Sequence, residues 1–238
     1  MFAGAVAQGQ AQAEPRQVAP RAVIELFTSQ GCSSCPAADK LLGEIARDTS
    51  IIAMTLAVDY WDYLGWKDTL ALKSHSNRQR AYAKARGDRE VYTPQAVVNG
   101  VMHVLGSDKV AIERAIVHTG KPATPLALAV NASVAGGTLN VSVPAKDGQA
   151  AGEIWLCPIT RLVPVKIGRG ENRGHTVTYS NVVRRWVKLG EWTGKAASFA
   201  VPITELQSGE IDSIAVVVQA GAASEPKVVL GAAQVSIR

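Results

Sequence analysis

Residues 22–36 read AVIELFTSQGCSSCP, and this stretch decides the fold. Its first part, 22–27, is a short, mostly apolar run of the kind that is buried in a parallel sheet. A turn with two cysteines follows, and residues 37–47 have the apolar spacing of a helix. Pro36 fits the first turn of that helix, where its missing N–H costs little. The stretch therefore predicts a strand and a helix joined by a cysteine-bearing turn.

The next part of the chain alternates between strand and helix patterns. Strand runs lie at 51–58, 96–98 and 101–105, and helical patterns at 68–86 and 108–117. Asn99-Gly100 separates the last two strands and is a strong hairpin signal. A βαβ unit must be parallel and right-handed, whereas a two-residue turn must be antiparallel. The order β-α-β-α-β-β-α therefore predicts a mixed four-stranded sheet flanked by helices, which is the architecture of thioredoxins. This prediction does not depend on the two cysteines.

Beyond Gly120 the pattern changes to short strands. Residues 121–125 are typical of a linker, and Gly, Asn or Pro separates most of the runs that follow. These alternating or apolar runs lie at 126–134, 138–143, 153–159, 175–179, 185–189, 197–203, 211–219 and 228–237. Strands at such spacing predict a β-sandwich, with a barrel as the alternative. The expected fold class is α/β plus all-β, with a thioredoxin-like domain at 21–121 and a β-rich, sandwich-like domain at 122–238.

The N-terminal segment, residues 1–20, has no strand or helix period. Ala11-Gln12-Ala13 matches the small-x-small pattern of a signal-peptidase site, although a positively charged region before it is missing. The segment is interpreted as a signal-peptide remnant or, alternatively, as a disordered tail. The first interpretation predicts a periplasmic or secreted protein. The sequence also has no apolar run long enough to predict a membrane span.

Composition narrows the class of protein. A hydrophobic fraction of 47% with 19% charged residues is ordinary for a globular protein and excludes general disorder. Much of the net charge of +5 comes from a basic stretch at 161–188. That stretch predicts either contact with an acidic partner or a solvated sheet edge that resists aggregation. Since no nucleic-acid-binding motif accompanies the charge, nucleic-acid binding is not expected.

Cys32-Ser33-Ser34-Cys35 is the motif that carries chemistry. Thiol–disulfide exchange needs a thiolate that attacks and a second thiol that resolves the mixed disulfide. The turn from strand to helix is expected to expose Cys32 at the helix N-terminus, where the helix dipole favours the thiolate and makes it a good nucleophile. A structural disulfide and a soft-metal site, for example for Cu(I), are the alternatives. A zinc site would need a second ligand pair, which the sequence lacks, so no metal and no cofactor are expected.

Several segments carry a resemblance to known families. Residues 23–36 resemble the active-site segment of glutaredoxins and thioredoxins, and Thr93-Pro94 stands where those families have a cis-proline. LFTSQGCSSCP, VDYWDYLGWKD, YTPQAVVNG and ENRGHTVTYSNVVR together resemble a family of uncharacterised bacterial exported proteins with a thioredoxin-like domain. The resemblance implies that Cys32 is the nucleophile, Cys35 the resolving thiol, and Pro94 the cis-proline that shapes a substrate groove.

The sequence also departs from thioredoxins. Gly31 stands where they have an aromatic residue, and Ser33-Ser34 replaces their Gly-Pro, which leaves the direction of exchange open. Thioredoxins keep a buried acid on the first strand for proton transfer. Glu25 is the candidate, with an ordinary outward-facing strand glutamate as the alternative.

Further candidates lie outside the motif. Tyr60, Trp61, Tyr63 and Trp66 follow the second strand, at the sheet edge where ligands bind in open α/β folds. They are expected either to line a wall beside Cys32 or to pack against the second domain. The expected substrate-binding residues are Gly31, Ser33, Ser34, Tyr60, Trp61, Trp66 and Thr93. Cys157 lies in an apolar run and is expected to be a buried, inert thiol, with a third redox partner as the alternative.

The expected function is that of a thiol–disulfide oxidoreductase acting on protein thiols or disulfides through Cys32 and Cys35. The alternative is a redox-inactive module of the same fold that binds a peptide, a glycan or a soft metal, with Cys32–Cys35 as a structural disulfide.

Overall fold

The computed structural model describes residues 19–120, 126–206 and 210–237. The predictions for the N-terminal segment up to residue 18 and for the linker at 121–125 lie outside the described residues. No helix in the described part of the chain is long and apolar enough to cross a membrane.

The first half has the predicted element order. Its strands and helices are β1 (Ala22–Thr28), α1 (Cys35–Ile45), β2 (Ile51–Ala57), α2 (Lys73–Arg86), β3 (Gln95–Val98), β4 (Met102–Leu105) and α3 (Lys109–Thr119), with a short 3-10 turn at Asp62–Leu64. The predicted order β-α-β-α-β-β-α is confirmed. The second helix begins later than predicted because Asp68 accepts the backbone N–H groups of Gln30 and Leu70, which fixes its surroundings as a loop.

Strand β1 is the centre of the first half. It pairs in parallel with β2 and antiparallel with β3, and β3 pairs antiparallel with β4, as the chain order requires. All of its residues are buried, so both of its faces are covered. Ile24 and Leu26 pack on the face covered by α1, whereas Val23 and Phe27 pack on the opposite face. The alternation of side chains along a strand puts Glu25 on that opposite face too.

The second half consists of strands, as predicted. They are β5 (Asn131–Ala135), β6 (Thr138–Val143), β7 (Gly152–Lys166), β8 (Thr176–Val183), β9 (Val187–Trp192), β10 (Ala197–Pro202), β11 (Ser213–Ala222) and β12 (Glu225–Ser236), with a one-turn helix at Ile203–Leu206. Each predicted strand is present, β6 with the predicted ends and the others with shifted ends. Strand β7 runs further than predicted because its exposed end, up to Lys166, pairs with β8.

The two halves share one sheet. Strand β8 pairs in parallel with β2 through Thr55 and Val182, which gives a nine-stranded sheet of order β12-β11-β7-β8-β2-β1-β3-β4 with β9 paired to β7. Thr55 Oγ1 donates to the carbonyl oxygen of Ser180 at 2.6 Å, which strengthens this junction. A three-stranded sheet, β10-β6-β5, packs over β7 and β11 and encloses a second core. The second half therefore lies directly beside the β1–α1 turn.

Candidate functional site

Cys32 and Cys35 form a disulfide, with their Cα atoms 5.4 Å apart. Cys32 lies in the turn after β1, and Cys35 is the first residue of α1. The backbone N–H of Cys35 donates to the carbonyl oxygen of Cys32 at 3.2 Å, which closes the turn. The sequence therefore correctly placed both cysteines at a strand–helix junction.

The expectation that Cys32 is exposed is wrong for this disulfide state. Cys32 is 2% exposed and Cys35 is fully buried, whereas Ser33 and Ser34 between them are exposed. Asn172, in the loop between β7 and β8, covers the site from the second half. Its Nδ2 donates to the carbonyl oxygens of Gln30 at 2.9 Å and of Cys32 at 2.8 Å.

The peptide bond between Thr93 and Pro94 is cis, as predicted. Pro94 is buried, and Thr93, half-buried, stands just before β3. Trp61 links this turn to the cysteines, because its Nε1 donates to Thr93 Oγ1 at 2.8 Å while its Cβ lies against Gly31. A Cβ atom at Gly31 would come within 3.1 Å of Trp61 Cβ. Glycine before the first cysteine thus leaves room for an aromatic ring from another part of the chain.

The aromatic residues after β2 divide between two positions, a surface beside the Cys32 turn and contacts with the rest of the fold. Tyr63 is 77% exposed and stacks on Trp61, with ring centroids 6.4 Å apart, so this pair forms an aromatic surface beside Gly31 and Thr93. Trp66 instead packs against Gly168 of the second half. Its Nε1 donates to Gln30 Oε1 at 2.8 Å. Tyr60 turns toward α2, where its hydroxyl donates to Gln79 Oε1 at 3.1 Å.

Glu25 is a buried residue with partners of its own, on the face of the sheet opposite α1. It forms an ion pair with Arg78 of α2 and accepts a hydrogen bond of 2.6 Å from the Tyr82 hydroxyl. Arg78 also donates to Gln219 of β11 at 2.8 Å, so the cluster ties the two halves together. Glu25 is therefore buried, as the first expectation had it, and the outward-facing alternative is wrong.

Sequence reasoning missed Asp39, which is buried on α1, one turn beyond Cys35. Its pKa is raised from 3.8 to about 8, mainly by burial, while the nearby Thr28 hydroxyl opposes the rise and the charge of Asp68 adds to it. The sequence contained a signal, because an aspartate between Ala38 and Leu42 lies on the apolar face of a helix.

Cys157 is a free cysteine, fully buried in β7, and burial raises its pKa well above the usual value. This matches the expectation of an inert thiol. Among the described residues, no group of three or more His, Cys, Asp or Glu side chains is arranged to hold a metal ion.

The basic stretch at 161–188 does not form one surface. Lys188 pairs with Glu153, and Arg184 donates to Thr160 at 2.7 Å. Arg169 and Arg173 are exposed on the loop that carries Asn172. This loop contacts Cys32 through Asn172.

Comparisons with known proteins give a family but no activity. The family described as "Protein of unknown function (DUF1223)" matches residues 23–219. The crystal structure of protein AGR_C_4864 from Agrobacterium tumefaciens is similar, with 31% identity, a TM-score of 0.82 and coverage of 92% of this chain and 95% of that chain. HBP35 of Porphyromonas gingivalis shares the fold at 12% identity, with a TM-score of 0.62 and coverage of 92% and 75%. No curated protein matches the chain.

Proposed function

The chain belongs to the DUF1223 family of proteins of unknown function, so we infer its activity from its own residues. We propose that it is a thiol–disulfide oxidoreductase. The observation that carries this proposal is the disulfide between Cys32 and Cys35 at the start of α1, near a turn that contains a cis-proline. The substrates would be protein thiols or disulfides.

We further assign residues 21–121 to a thioredoxin-like domain and residues 122–238 to a β-rich, sandwich-like domain. The first assignment is supported by the parallel pairing of β1 with β2, the antiparallel pairing of β1 with β3, and the position of Cys35 at the start of α1. The second is supported by the packing of the three-stranded sheet over β7 and β11.

In this proposal Cys32 reacts with the partner and Cys35 resolves the mixed disulfide. An extended substrate segment would lie along the backbone of Thr93, which precedes the ladder pairs that begin at Gln95. Trp61 and Tyr63 would form one wall of the groove, and the exposed Ser33-Ser34 pair its rim.

A disulfide is stable in oxidising compartments, which supports a periplasmic or secreted location. The exposed Arg169 and Arg173 favour substrates with acidic residues near the reacting cysteine, since opposite charges steer encounter.

A static disulfide in a binding module is the second candidate, and the burial of Cys32 at 2% exposure favours it. Redox potential separates the two candidates. Catalytic disulfides of this type lie at about −120 to −270 mV, whereas structural ones lie below about −300 mV.

The test equilibrates the native protein across ratios of reduced to oxidised glutathione and traps free thiols by alkylation. Mass mapping then reports Cys32 and Cys35 separately, and the Cys157→Ser variant controls for the buried thiol. We expect both cysteines to titrate together within the catalytic range. A pair that stays oxidised at every glutathione ratio would support the binding module instead.

A further inference from the structure

A buried carboxyl group lies one helical turn beyond Cys35. Asp39 is 1% exposed and Cys35 is fully buried, and both are on α1. Residues four apart on a helix have Cβ atoms about 5–6 Å apart. Helical side chains lean toward the N-terminus, so the Asp39 side chain leans toward the turn that carries Cys35. The Asp39 carboxyl group is therefore within about one helical turn of Cys35, whose sulfur leaves when the disulfide opens.

Within the described part of the chain, neither oxygen of Asp39 has a hydrogen-bond partner, and neither does the hydroxyl of Thr28. A buried carboxylate without such partners is costly, and the group is then kept neutral. In agreement, burial raises the pKa of Asp39 to about 8. In the disulfide state the carboxyl group thus holds a proton at neutral pH.

Asp39 also lines a groove of about 460 Å³ between α1 and strands β7 and β8. Gly43 allows the close approach of α1 to β8, because a Cβ atom there would lie 2.9 Å from Ser180 Oγ. The charged residues of the groove, besides Asp39, are Lys40 and Glu44 on α1, Arg47 just after α1, and Arg161 on β7. Asp68, from the loop before α2, and Tyr179 of β8 interact electrostatically with Asp39 from the interior. Asp39 therefore forms part of the wall of this groove, with its carboxyl oxygens buried behind that wall.

We propose that Asp39 is the proton-transfer group of the Cys32–Cys35 pair and that this groove is its connection to solvent; the inference rests on the proposed thiol–disulfide exchange. An incoming thiolate attacks Cys32 Sγ, the Cys32–Cys35 bond breaks, and its electron pair leaves with Cys35 Sγ. Asp39 gives its proton to that sulfur and recovers one from solvent through the groove.

The balance of the step is complete. The incoming thiolate ends in a mixed disulfide with Cys32, and Cys35 ends as a thiol. In the closing direction the Asp39 carboxylate removes the proton from Cys35, whose thiolate then attacks Cys32 and releases the partner's thiolate. A buried thiolate at Cys35 would otherwise be disfavoured by desolvation.

The test measures how fast dithiothreitol reduces the oxidised protein between pH 6 and pH 10, with each rate divided by the thiolate concentration of the reductant. In the wild type the corrected rate should fall as pH rises through about 8, because Asp39 loses the proton it donates. Asp39→Asn should be slower by about 100-fold at pH 6 and should lose this pH dependence. Glu113→Gln, which removes a charge from the exposed surface of α3, should behave as the wild type.

The outcomes separate the two proposals. If dithiothreitol cannot reduce the native wild type, the oxidoreductase itself is wrong. If the wild type is reduced but Asp39→Asn keeps its rate and pH profile, only the role of Asp39 is wrong. The NMR titration of the Asp39 carboxyl carbon in the oxidised wild type tests the inference without a substitution, and an ordinary aspartate titration would overturn it.

Discussion

Replacement of Asp39 by asparagine removes a titrating group whose ionisation opposes folding. Burial moves the pKa of Asp39 from 3.8 to about 8, so at neutral pH the folded protein holds a proton that the unfolded chain has released. Stability from such a group falls as pH rises from the unfolded pKa to the folded one, and is constant above it. The wild type should therefore lose stability across this whole range.

The size of the effect follows from the pKa difference. Each pH unit in this range costs about 1.4 kcal/mol, so roughly 4 kcal/mol is lost between pH 4 and pH 7. Asparagine has nearly the same shape and does not titrate. Its amide N–H groups would lack partners in the same site, at a cost of about 1–3 kcal/mol that does not depend on pH. Asp39→Asn should therefore be more stable than the wild type by about 1–3 kcal/mol at pH 7, and less stable by about 1–3 kcal/mol near pH 4.

Urea unfolding at pH 5, 6, 7 and 8, followed by tryptophan fluorescence on the oxidised proteins, measures this difference. Glu113→Gln is the control, because this side chain is exposed on α3. Its stability should stay within about 0.5 kcal/mol of the wild type at every pH. A difference between the wild type and Asp39→Asn that is destabilising and independent of pH would refute the reasoning.

Two other substitutions test the surroundings of the site. Asn172→Ala removes the two hydrogen bonds to the carbonyl oxygens of Gln30 and Cys32. Dithiothreitol should then reduce the disulfide several-fold faster. An unchanged rate would show that the loop does not limit access to the disulfide. Glu25→Gln leaves Arg78 buried without its counter-ion, so urea unfolding should show a loss of about 3–5 kcal/mol, while the pH profile of reduction stays that of the wild type. A changed profile would identify Glu25 as the proton-transfer group.

Much of the fold could be predicted because its signals are local. Strands β1 and β2 are mostly apolar runs, and Asn99-Gly100 specifies the turn between β3 and β4. The pairing of β2 with β8 has no local signal. This pairing joins Thr55 and Val182, which are far apart in the sequence. The periodicity of a strand does not predict which other strand it pairs with. Sequence patterns therefore could not predict that the two halves share one sheet.

In the candidate site, too, local features could be predicted from the sequence and long-range contacts could not. The positions of Cys32 and Cys35 follow from the segments next to them in the chain, whereas the cis bond before Pro94 was expected from the family resemblance. The burial of Cys32 depends on Asn172, a residue 140 positions away, and could not be predicted. The proton-transfer candidate was sought on β1 by family resemblance, although an aspartate on the apolar face of α1 was visible in the sequence.

The two buried acids near β1 differ in what surrounds them, and this difference assigns their roles. Glu25 faces Arg78 and joins a cluster that reaches β11, so its removal should mainly affect stability. Asp39 has no cation against it in the described structure and no hydrogen-bond partner for either oxygen, so its burial costs stability at neutral pH. A costly group on the turn next to a reactive cysteine is the pattern expected where stability is given up for activity. The same substitution, Asp39→Asn, should therefore raise stability and slow exchange, a combination that neither a purely structural nor a purely surface residue would give.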